Sequence, residues 1–238
     1  MRNTWCASMG EIREDPRLRD RLVPFADRMD AGRKLATYLS GPDPADTCVC
    51  AIPAGGVPVG VEIALALRLP FLLAVVRKIR IPGNPEAGFG AVTWDGRIHL
   101  NERLMTGLNL TKGEIAGAIA IAQANVRDRL KRFGMNASFP RLTGKSAILV
   151  DDGLASGYTM IAAVDAIRAC NPASVVVAVP TGSAGAVTRV AEAADVLVCP
   201  NIRTGYSFAV ADAYTHWHDL SDNEVLAELQ RVRDAGLF

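Results

Sequence analysis

The sequence lacks several features that would point to whole classes of protein. No stretch approaches the roughly 18 consecutive apolar residues that a membrane-spanning helix needs, so we expect no membrane partner. The 238 residues carry a net charge of only +1, which argues against the broad basic surface that binds duplex nucleic acid. No Gly-x-Gly-x-x-Gly follows the first predicted strand, which disfavours a dinucleotide-binding dehydrogenase.

Cysteine is scarce, and its placement indicates no metal centre. The five cysteines are odd in number and far apart in the sequence: Cys6, Cys48, Cys50, Cys170 and Cys199. We expect Cys48 and Cys50 to point to opposite faces of a strand, and we interpret all five as free thiols in a reducing cytoplasm. Met1–Arg21 alternates Arg with Asp and Glu and lacks the apolar centre of a signal peptide, which also favours a cytoplasmic location.

The residues that are present predict an α/β fold. Half of them are hydrophobic, and short apolar runs alternate with helical segments. The predicted strands are Thr47–Pro53, Phe71–Ile79, Ala147–Val150, Ser174–Val179 and Asp195–Cys199. The predicted helices are Val57–Leu67, Thr111–Phe133, Tyr158–Cys170 and Ala184–Ala193. Near-continuous apolar strands separated by helices indicate a doubly wound, mainly parallel sheet flanked by helices. We therefore predict a single domain over residues 1–238.

Local signals add detail to this fold. Ala87–Trp94 and Arg97–Leu100 flank Asp95-Gly96, a pair typical of a type I′ turn, so a β-hairpin is expected there. Thr111 and Glu114 have the spacing of a capping box, which predicts the start of the long helix. Gly134 can supply the left-handed residue that ends it.

The segment Lys145–Thr159 (KSAILVDDGLASGYT) carries the strongest functional signal. In parallel sheets, ligands bind beyond the carboxyl ends of the strands. Here an apolar strand ends in two adjacent acids, Asp151 and Asp152, and a loop of small residues leads into a helix. Backbone N–H groups of such a loop, together with the helix N-terminus, favour an anion. The hydroxyls of Ser156 and Thr159 can complete a phosphate cradle.

Two carboxylates beside an anion site indicate a ligand that also carries hydroxyl groups. A ribose 5-phosphate fits, because its 2- and 3-hydroxyls can donate to the acids while its phosphate occupies the loop. The alternative is a simple turn with an Asp cap. The predicted ribose 5-phosphate site comprises Asp151, Asp152, Gly153, Leu154, Ala155, Ser156, Gly157, Tyr158 and Thr159.

The run VDDGLASGYT closely resembles the phosphoribosyl pyrophosphate motif of the type I phosphoribosyltransferases, in which two acids precede a loop usually ending in Thr-Gly-x-Thr. Other segments resemble one branch of predicted phosphoribosyltransferases whose substrate is unassigned: Phe25–Leu39, Ile52–Val59, Val76–Val92 and Phe208–Val225. The resemblance covers residues 25–230. It implies a core over about residues 25–200 and a small hood formed by residues 1–39 and 201–238.

The resemblance also implies an activity. We expect transfer of the 5-phosphoribosyl group from 5-phosphoribosyl-1-pyrophosphate to a nitrogenous acceptor, such as a nucleobase or related ring, with Mg²⁺ as cofactor. Mg²⁺ would be held mainly by ligand oxygens near Asp151 and Asp152. These two acids and Lys78 are the candidate catalytic residues, and Asp152 is the candidate for deprotonating the acceptor or stabilising the cationic sugar. The long helix and the hairpin are candidates for a homodimer contact.

Two further strand ends are candidates for binding pyrophosphate. The family often binds it at a loop with a non-proline cis peptide, which aligns with Pro53–Val57, but Ala54 stands where relatives commonly carry Arg. A second strand ends in three cations, followed by a Pro/Gly-rich segment that we expect to be a mobile loop. The predicted pyrophosphate site comprises Ala54, Gly55, Gly56, Arg77, Lys78 and Arg80. A plain turn and a solvated basic edge are the alternatives.

The acceptor site is the least defined. Candidate stacking residues are Tyr206, Phe208, Tyr214 and Trp217, and Glu86 is a candidate acceptor contact. His216 and His218 lie two apart without an evident third ligand, so we interpret them as ordinary histidines. Two other functions stay open: a regulatory protein that senses phosphoribosyl pyrophosphate without catalysis, which Ala54 favours, and a sugar-phosphate hydrolase.

Overall fold

The computed structural model describes residues 10–39, 41, 43, 45–135 and 142–238, apart from the side chains of residues 85–87 and 103. The strands are β1 (Glu11–Arg13), β2 (Thr47–Ala51), β3 (Phe71–Leu73), β4 (Val76–Ile81), β5 (Asn84–Thr93), β6 (Ile98–Leu100), β7 (Ser146–Val150), β8 (Ser174–Ala178), β9 (Thr181–Ser183), β10 (Val196–Val198) and β11 (Asn201–Arg203). The helices are α1 (Arg28–Ala36), α2 (Gly56–Leu67), α3 (Glu102–Gly107), α4 (Lys112–Arg132), α5 (Tyr158–Arg168), α6 (Ala184–Ala191) and α7 (Asp222–Asp234), with a 3₁₀ turn at Val210–Ala213.

A six-stranded sheet in the order β1-β10-β8-β7-β2-β3 forms the centre of the molecule, and every neighbouring pair is parallel. Its middle strands are almost wholly buried: all five residues of β2 are buried, as are four of the five residues of β7. Such strands occur where helices cover both faces of a sheet. The predicted α/β fold with a mainly parallel central sheet is confirmed.

The predicted strand Phe71–Ile79 is wrong as a single element. The structure divides it into β3, which pairs with β2, and β4, which pairs with β5 in a separate antiparallel sheet of order β4-β5-β6. Ala74 still donates its N–H to the carbonyl of Ala51, and the chain then leaves the main sheet. Because Ala74 and Val75 are both fully buried, the apolar pattern continues through this change of sheet and gives no sign of it.

The hairpin between β5 and β6 is present, but its predicted type I′ turn is wrong. Gly96 has φ +82°, whereas Asp95 is not among the residues with positive φ. A type I′ turn requires positive φ at both central residues. Instead, Gly96 donates its N–H to the carbonyl of Thr93, and Thr93 donates its N–H to the carbonyl of Arg97. This pattern is a tight turn followed by a left-handed glycine, the arrangement of a bulged hairpin.

The capping box at the start of α4 is confirmed, because the Thr111 hydroxyl and the Glu114 carboxylate each accept from the other residue's backbone N–H. Gly134 follows the helix with φ +66°, as its position in the sequence predicts. In the first half of α4, Ile115, Ala118 and Ile119 are partly buried against the core, whereas Ile121 is exposed; the fully buried residues of this helix are Ala122, Val126 and Leu130. One side of α4 therefore remains exposed.

The segments predicted as a hood partly pack together, in a cluster of Phe25, Ala31, Ala213 and Tyr214, and partly lie elsewhere. Residues 11–13 form the edge strand β1, paired with β10, and α7 packs on α2. The N–H of Phe71 donates to the carbonyl of Leu237, so the C-terminal tail covers the other edge of the sheet at β3. The division into core and hood stays a prediction.

Four cysteines lie in the described part of the chain and are free thiols. The prediction that Cys48 and Cys50 point to opposite faces was wrong, since residues two apart on a strand share a face and their sulfur atoms lie 3.8 Å apart. Cys6 lies outside the described residues. Among the described helices, none combines the length and apolar character needed to span a membrane.

Candidate active site

Parallel pairing of β2 with β7 places two loops side by side. Ala51 lies opposite Val150, so both strands end at the same edge of the sheet. The loop after β2 contains a cis peptide between Pro53 and Ala54, as the family resemblance implies. The loop after β7 begins with the two acids, Asp151 and Asp152.

The two glycines of the first loop permit this close approach. A Cβ atom at Gly56 would lie 2.5 Å from the carbonyl oxygen of Val150 and 2.8 Å from Cα of Asp151. A Cβ atom at Gly55 would overlap the carboxylate of Asp152. The predicted pyrophosphate loop therefore packs directly against the predicted ribose-binding acids, and only glycine fits at either position.

Asp151 faces the main cleft of the protein. Its carboxylate is half-buried and accepts the N–H of Asp152 at 2.9 Å. Burial, together with the neighbouring Asp152 charge, raises the pKa of Asp151 well above its usual range. A ligand that brings hydroxyl donors or a cation to this carboxylate would counter both effects.

Asp152 points the other way, into the protein. Oδ2 of its carboxylate accepts from Nε of Arg28 at 2.8 Å, and the two side chains are only 14% and 8% exposed. Burial raises the pKa of Asp152, while the charge and hydrogen bond of Arg28 oppose that rise. The carbonyl oxygen of Asp152 accepts from the hydroxyl of Tyr214 at 2.6 Å. Neighbouring residues thus hold both the side chain and the backbone of Asp152.

Hydrogen bonds to neighbouring segments fix the loop that follows the acids. Leu154 exchanges backbone hydrogen bonds with β9, donating to Thr181 and accepting from Ser183. The carbonyl of Ala155 accepts from the hydroxyl of Ser183 at 2.9 Å. The carbonyl of Ser156 accepts from Nη1 of Arg189 at 2.6 Å. The backbone carbonyls of Leu154, Ala155 and Ser156 are therefore all hydrogen-bonded to neighbouring segments of the protein.

The start of α5 is suited to an anion. The N-cap is Gly157, in the left-handed conformation with φ +79°, and it has no side chain to occupy the free N–H groups of the first turn. Ser156 and Tyr158 are exposed beside it. A helix N-terminus with free N–H groups and a partial positive charge favours a phosphate.

A cleft of about 990 Å³ joins these features. Asp151 and Thr159 line it from the ribose side, and Pro53 lines it from the cis-peptide loop. The three predicted cations of β4 line it as well: Arg77, Lys78 and Arg80. The opposite wall is formed by α4. All three sequence regions predicted to bind the substrate therefore meet in one cleft.

Comparison with known proteins places this architecture in a family. Residues 28–215 match the family model described as phosphoribosyl transferase domain. Over 208 residues, 87% of this chain, it is 38% identical to a protein provisionally named phosphoribosyl transferase MT0597, from Mycobacterium tuberculosis (strain CDC 1551 / Oshkosh). The crystal structure of TT1426 from Thermus thermophilus is 32% identical and superposes with a TM-score of 0.70, covering 86% of this chain and 97% of that one.

The chain belongs to the phosphoribosyl transferase family. The family resemblance seen in the sequence is thereby confirmed, and so is the expected enzyme class at the level of the family. The matched region covers 47% of the Mycobacterium tuberculosis protein, so the chain spans about half the length of the curated relatives it matches.

The predicted acceptor residues of this phosphoribosyl transferase chain do not line the cleft. Tyr214 is buried against Phe25 and Trp217, with ring centroids 5.9 and 5.2 Å away, and its hydroxyl is bound to Asp152. Phe208 contacts Arg203, and Tyr206 is fully exposed. The side chain of Glu86 lies outside the described part of the chain. Stacking of an acceptor on these rings stays a prediction.

The two histidines do not form a metal centre with other residues. Nε2 of His218 lies 2.7 Å from the carboxylate of Glu224. Within the described residues, no group of three or more His, Cys, Asp or Glu side chains is arranged to hold a metal ion. The cleft nevertheless fits the expected Mg²⁺, because Mg²⁺ is commonly held by one or two carboxylates together with substrate phosphates. Asp151 supplies such a carboxylate to the cleft.

Two arginines contact the site but were not predicted. Arg28 reaches Asp152 across 124 residues of sequence, and Arg189 binds the phosphate loop from α6. Arg28 lies within Phe25–Leu39, a segment whose family resemblance is visible in the sequence. No spacing rule connects either arginine to the loop that it contacts.

Proposed function

We propose that this protein transfers the 5-phosphoribosyl group of 5-phosphoribosyl-1-pyrophosphate to a nitrogenous acceptor, such as a nucleobase or related ring, and releases pyrophosphate. One observation carries the proposal: the Asp151 carboxylate, Thr159 in the first turn of a helix without a side-chain cap, and three cations line the same cleft. These groups match, in turn, the hydroxyls, the 5-phosphate and the pyrophosphate of one molecule.

The ribose 5-phosphate would occupy the loop from Asp151 to Thr159. Its phosphate would accept hydrogen bonds from the backbone N–H groups at the start of α5 and from the hydroxyls of Ser156 and Thr159. Hydrogen bonds to a charged oxygen contribute about 1.5–3 kcal/mol each, so a few of them hold a phosphate without a lysine. The ribose hydroxyls would donate to Asp151, whose carboxylate faces the cleft.

The pyrophosphate would lie between the cis-peptide loop and β4. Gly55 and Gly56 allow a close approach of backbone to anion. Ala54 supplies no charge where relatives commonly carry Arg, so Arg77, Lys78 and Arg80 would provide the neutralising cations. Their effect would grow in the transition state, because negative charge on pyrophosphate increases as its bond to the sugar breaks.

The reaction needs no covalent intermediate with the protein. The bond between C1 of the ribose and the pyrophosphate oxygen breaks, and its electron pair leaves with pyrophosphate. The acceptor nitrogen uses its lone pair to form the new bond to C1, and its proton passes to a base. Asp151 faces the cleft and would accept that proton, whereas the buried charge of Asp152 would stabilise the positive charge at C1 from behind the cleft wall. Lys78 is the candidate for stabilising the leaving pyrophosphate.

Mg²⁺ is the cofactor proposed for this reaction. Most of its ligands would be oxygens of the substrate, and Asp151, which faces the cleft beside Asp152, would supply the protein's carboxylate. When bound, it would neutralise charge on the pyrophosphate and lower the cost of its departure. The protein's own contribution is to orient the ribose against Asp151 and to enclose the leaving group with cations.

A cytoplasmic location and a homodimer complete the proposal. Exposed apolar side chains lie on the hairpin (Ile98 and Leu100), on α3 (Leu104) and on α4 (Ile121). Dimers are the commonest oligomers, and an apolar face of this kind suits one. Ile98→Glu, on the hairpin and outside the cleft, is expected to convert a dimer to a monomer in light-scattering measurements, and a wild-type monomer would contradict this part of the proposal.

The direct test is acceptor-dependent release of pyrophosphate. Purine, pyrimidine and nicotinate-like acceptors would be incubated with the protein, phosphoribosyl pyrophosphate and Mg²⁺. We expect release with one class of acceptor and loss of release in Asp151→Asn, whereas Asp234→Asn, an exposed control on α7, keeps full activity. No acceptor-dependent release by the folded protein would contradict the proposal.

Ala54 favours a second candidate, a sensor that binds phosphoribosyl pyrophosphate without catalysis. Ligand at about 100 times its dissociation constant stabilises a protein by about 2.7 kcal/mol, which raises the melting temperature of a chain this size by roughly 5–10 °C. A Mg²⁺-dependent rise without turnover for any acceptor would support the sensor. Release of ribose 5-phosphate without an acceptor would support a hydrolase.

A further inference from the structure

We infer that Arg28 is a positioning residue that holds the carboxylate of Asp152 in place for the transfer reaction. The inference rests on the proposed function. Arg28 is the first residue of α1, outside the phosphoribosyl pyrophosphate motif, and it joins Asp152 to Trp217 and His218. We call this set of contacts the Arg28 bridge, formed by Arg28, Asp152, Trp217 and His218.

Each part of the guanidinium group has a defined partner. Nε donates to Oδ2 of Asp152 at 2.8 Å, and Nη1 donates to the carbonyl oxygen of His218 at 2.9 Å. The guanidinium carbon lies 3.8 Å from the ring centroid of Trp217, a cation–π contact. The planar group therefore makes two hydrogen bonds and a stack at once, which lysine cannot reproduce.

Asp152 is confined from the other directions as well. Gly55 lies so close to the carboxylate that a single added carbon atom would overlap it. Tyr214 donates its hydroxyl to the carbonyl of the same residue. The carboxylate is thus held between the cis-peptide loop and Arg28, and it cannot rotate without breaking the Arg28 bridge.

The backbone that carries Arg28 is also held in place. Asp27 caps α1, accepting the N–H of Asp30 at 2.8 Å, so Arg28 extends from an ordered helix start. The helix packs closely on α2, where a Cβ atom at Gly32 would lie 2.6 Å from the carbonyl oxygen of Val59. Arg28 therefore reaches Asp152 from a rigid support.

Fold stability alone gives a poor reason for such a pair. Both partners are almost completely desolvated, and a buried ion pair commonly stabilises a protein no more than apolar residues of the same size. The other ion pairs of α1 have exposed cations: Arg33 with Glu62, and Lys34 with Asp30. The Arg28 bridge differs because it ends beside the predicted reaction centre, one residue from the Asp151 carboxylate that faces the cleft, where small displacements of a charge cost much catalysis.

A double-mutant cycle tests the inference. Pyrophosphate release would be measured for wild type, Arg28→Ala, Asp152→Asn and the double variant, with Arg33→Ala as an exposed control on the same helix. We expect Arg28→Ala to lower kcat about tenfold or more, with a smaller change in the KM for phosphoribosyl pyrophosphate. If Arg28 acts through Asp152, the double variant is no slower than the slower single variant. Arg33→Ala is expected to match wild type.

A rescue experiment separates positioning from a general loss of structure. Arg28 also lines a second cavity, of about 410 Å³, which gives a small solute access to the position. We expect millimolar guanidinium ion to restore part of the kcat of Arg28→Ala and to leave Arg33→Ala unchanged. Arg28→Lys is expected to have a kcat between those of wild type and Arg28→Ala. It replaces Arg28→Ala in the double-mutant cycle if that variant fails to fold.

Three outcomes would overturn the inference. The first is a folded Arg28→Ala variant with the kcat of wild type. The second is a double variant whose loss of kcat equals the product of the losses in the two single variants. The third is an Arg28→Ala variant that is slow but unaffected by guanidinium at every concentration tested. A wild-type protein without any transferase activity would instead remove the proposed function, and the inference with it.

Discussion

The two halves of the cleft are built differently. The half proposed to bind ribose 5-phosphate, Asp151–Thr159, is tied to five neighbouring residues by hydrogen bonds: Arg28, Thr181, Ser183, Arg189 and Tyr214. The half proposed to bind pyrophosphate has its cations on β4, in a small sheet apart from the main one, where Lys78 and Arg80 are exposed. The pairing of β4 with β5 is irregular on both sides of Arg80.

This difference suggests a division of labour. A loop whose carbonyls are already engaged presents its N–H groups in one arrangement, so it suits a ligand part that stays the same through the reaction, the ribose 5-phosphate. Exposed cations on a separate hairpin suit the part that changes, because pyrophosphate gains charge and then leaves. Substitutions in the first half should therefore affect activity more than those in the second.

The largest effect is expected for Gly55→Ala, at the junction of the two halves. The added methyl group would displace the carboxylate of Asp152, and a displacement of about 1 Å can cost on the order of 100-fold in rate. Steady-state kinetics would measure the loss. Gly185→Ala is a matched control, because nothing lies within 4 Å of its added Cβ atom. Equal activity of the two variants would show that the approach of Gly55 to Asp152 is unimportant.

Asp152→Asn is expected to lower turnover tenfold or more. The change removes the negative charge that Arg28 holds beside the reaction centre, while the side chain keeps its size. The measurement is kcat at saturating phosphoribosyl pyrophosphate. Turnover close to that of wild type would rule out the proposed role of Asp152 and would leave Asp151 as the sole candidate acid.

A smaller effect is expected for Lys78→Gln in the pyrophosphate half. One of three cations is lost, so we expect the KM for phosphoribosyl pyrophosphate to rise about fivefold. Lys112→Gln, an exposed control on α4, should leave KM unchanged. A larger loss of kcat/KM in Lys78→Gln than in Asp152→Asn would reverse the comparison between the two halves.

The smallest effect is expected for Arg189→Gln. Arg189 supports the phosphate loop through one hydrogen bond, to the carbonyl of Ser156, and one contact over the ring of Tyr158. A single hydrogen bond of this kind contributes about 1 kcal/mol, so we expect KM to rise by up to about fivefold and kcat to stay the same. A change in kcat alone would indicate that the loop acts at the chemical step instead.

The sequence predicts much of the fold and the centre of the site. The predicted strand Ala147–Val150 lies within β7, and the acids and glycines that follow it indicate the loop that we propose binds the ligand. The sequence did not predict where the chain changes sheet between β3 and β4, because Ala74 and Val75 are as apolar as their neighbours. It did not predict Arg28 either, since a contact across 124 residues depends on the tertiary fold rather than on any local pattern.

The most direct test is a calorimetric titration of the two ligand parts separately. Ribose 5-phosphate and pyrophosphate would each be titrated into wild type, Asp151→Asn and Lys78→Gln, with and without Mg²⁺. We predict that Asp151→Asn weakens the binding of ribose 5-phosphate much more than the binding of pyrophosphate. Lys78→Gln is predicted to have the reverse effect. Equal weakening of both ligands in both variants would contradict the division of the cleft. A folded wild-type protein that binds neither ligand would contradict the proposed function itself.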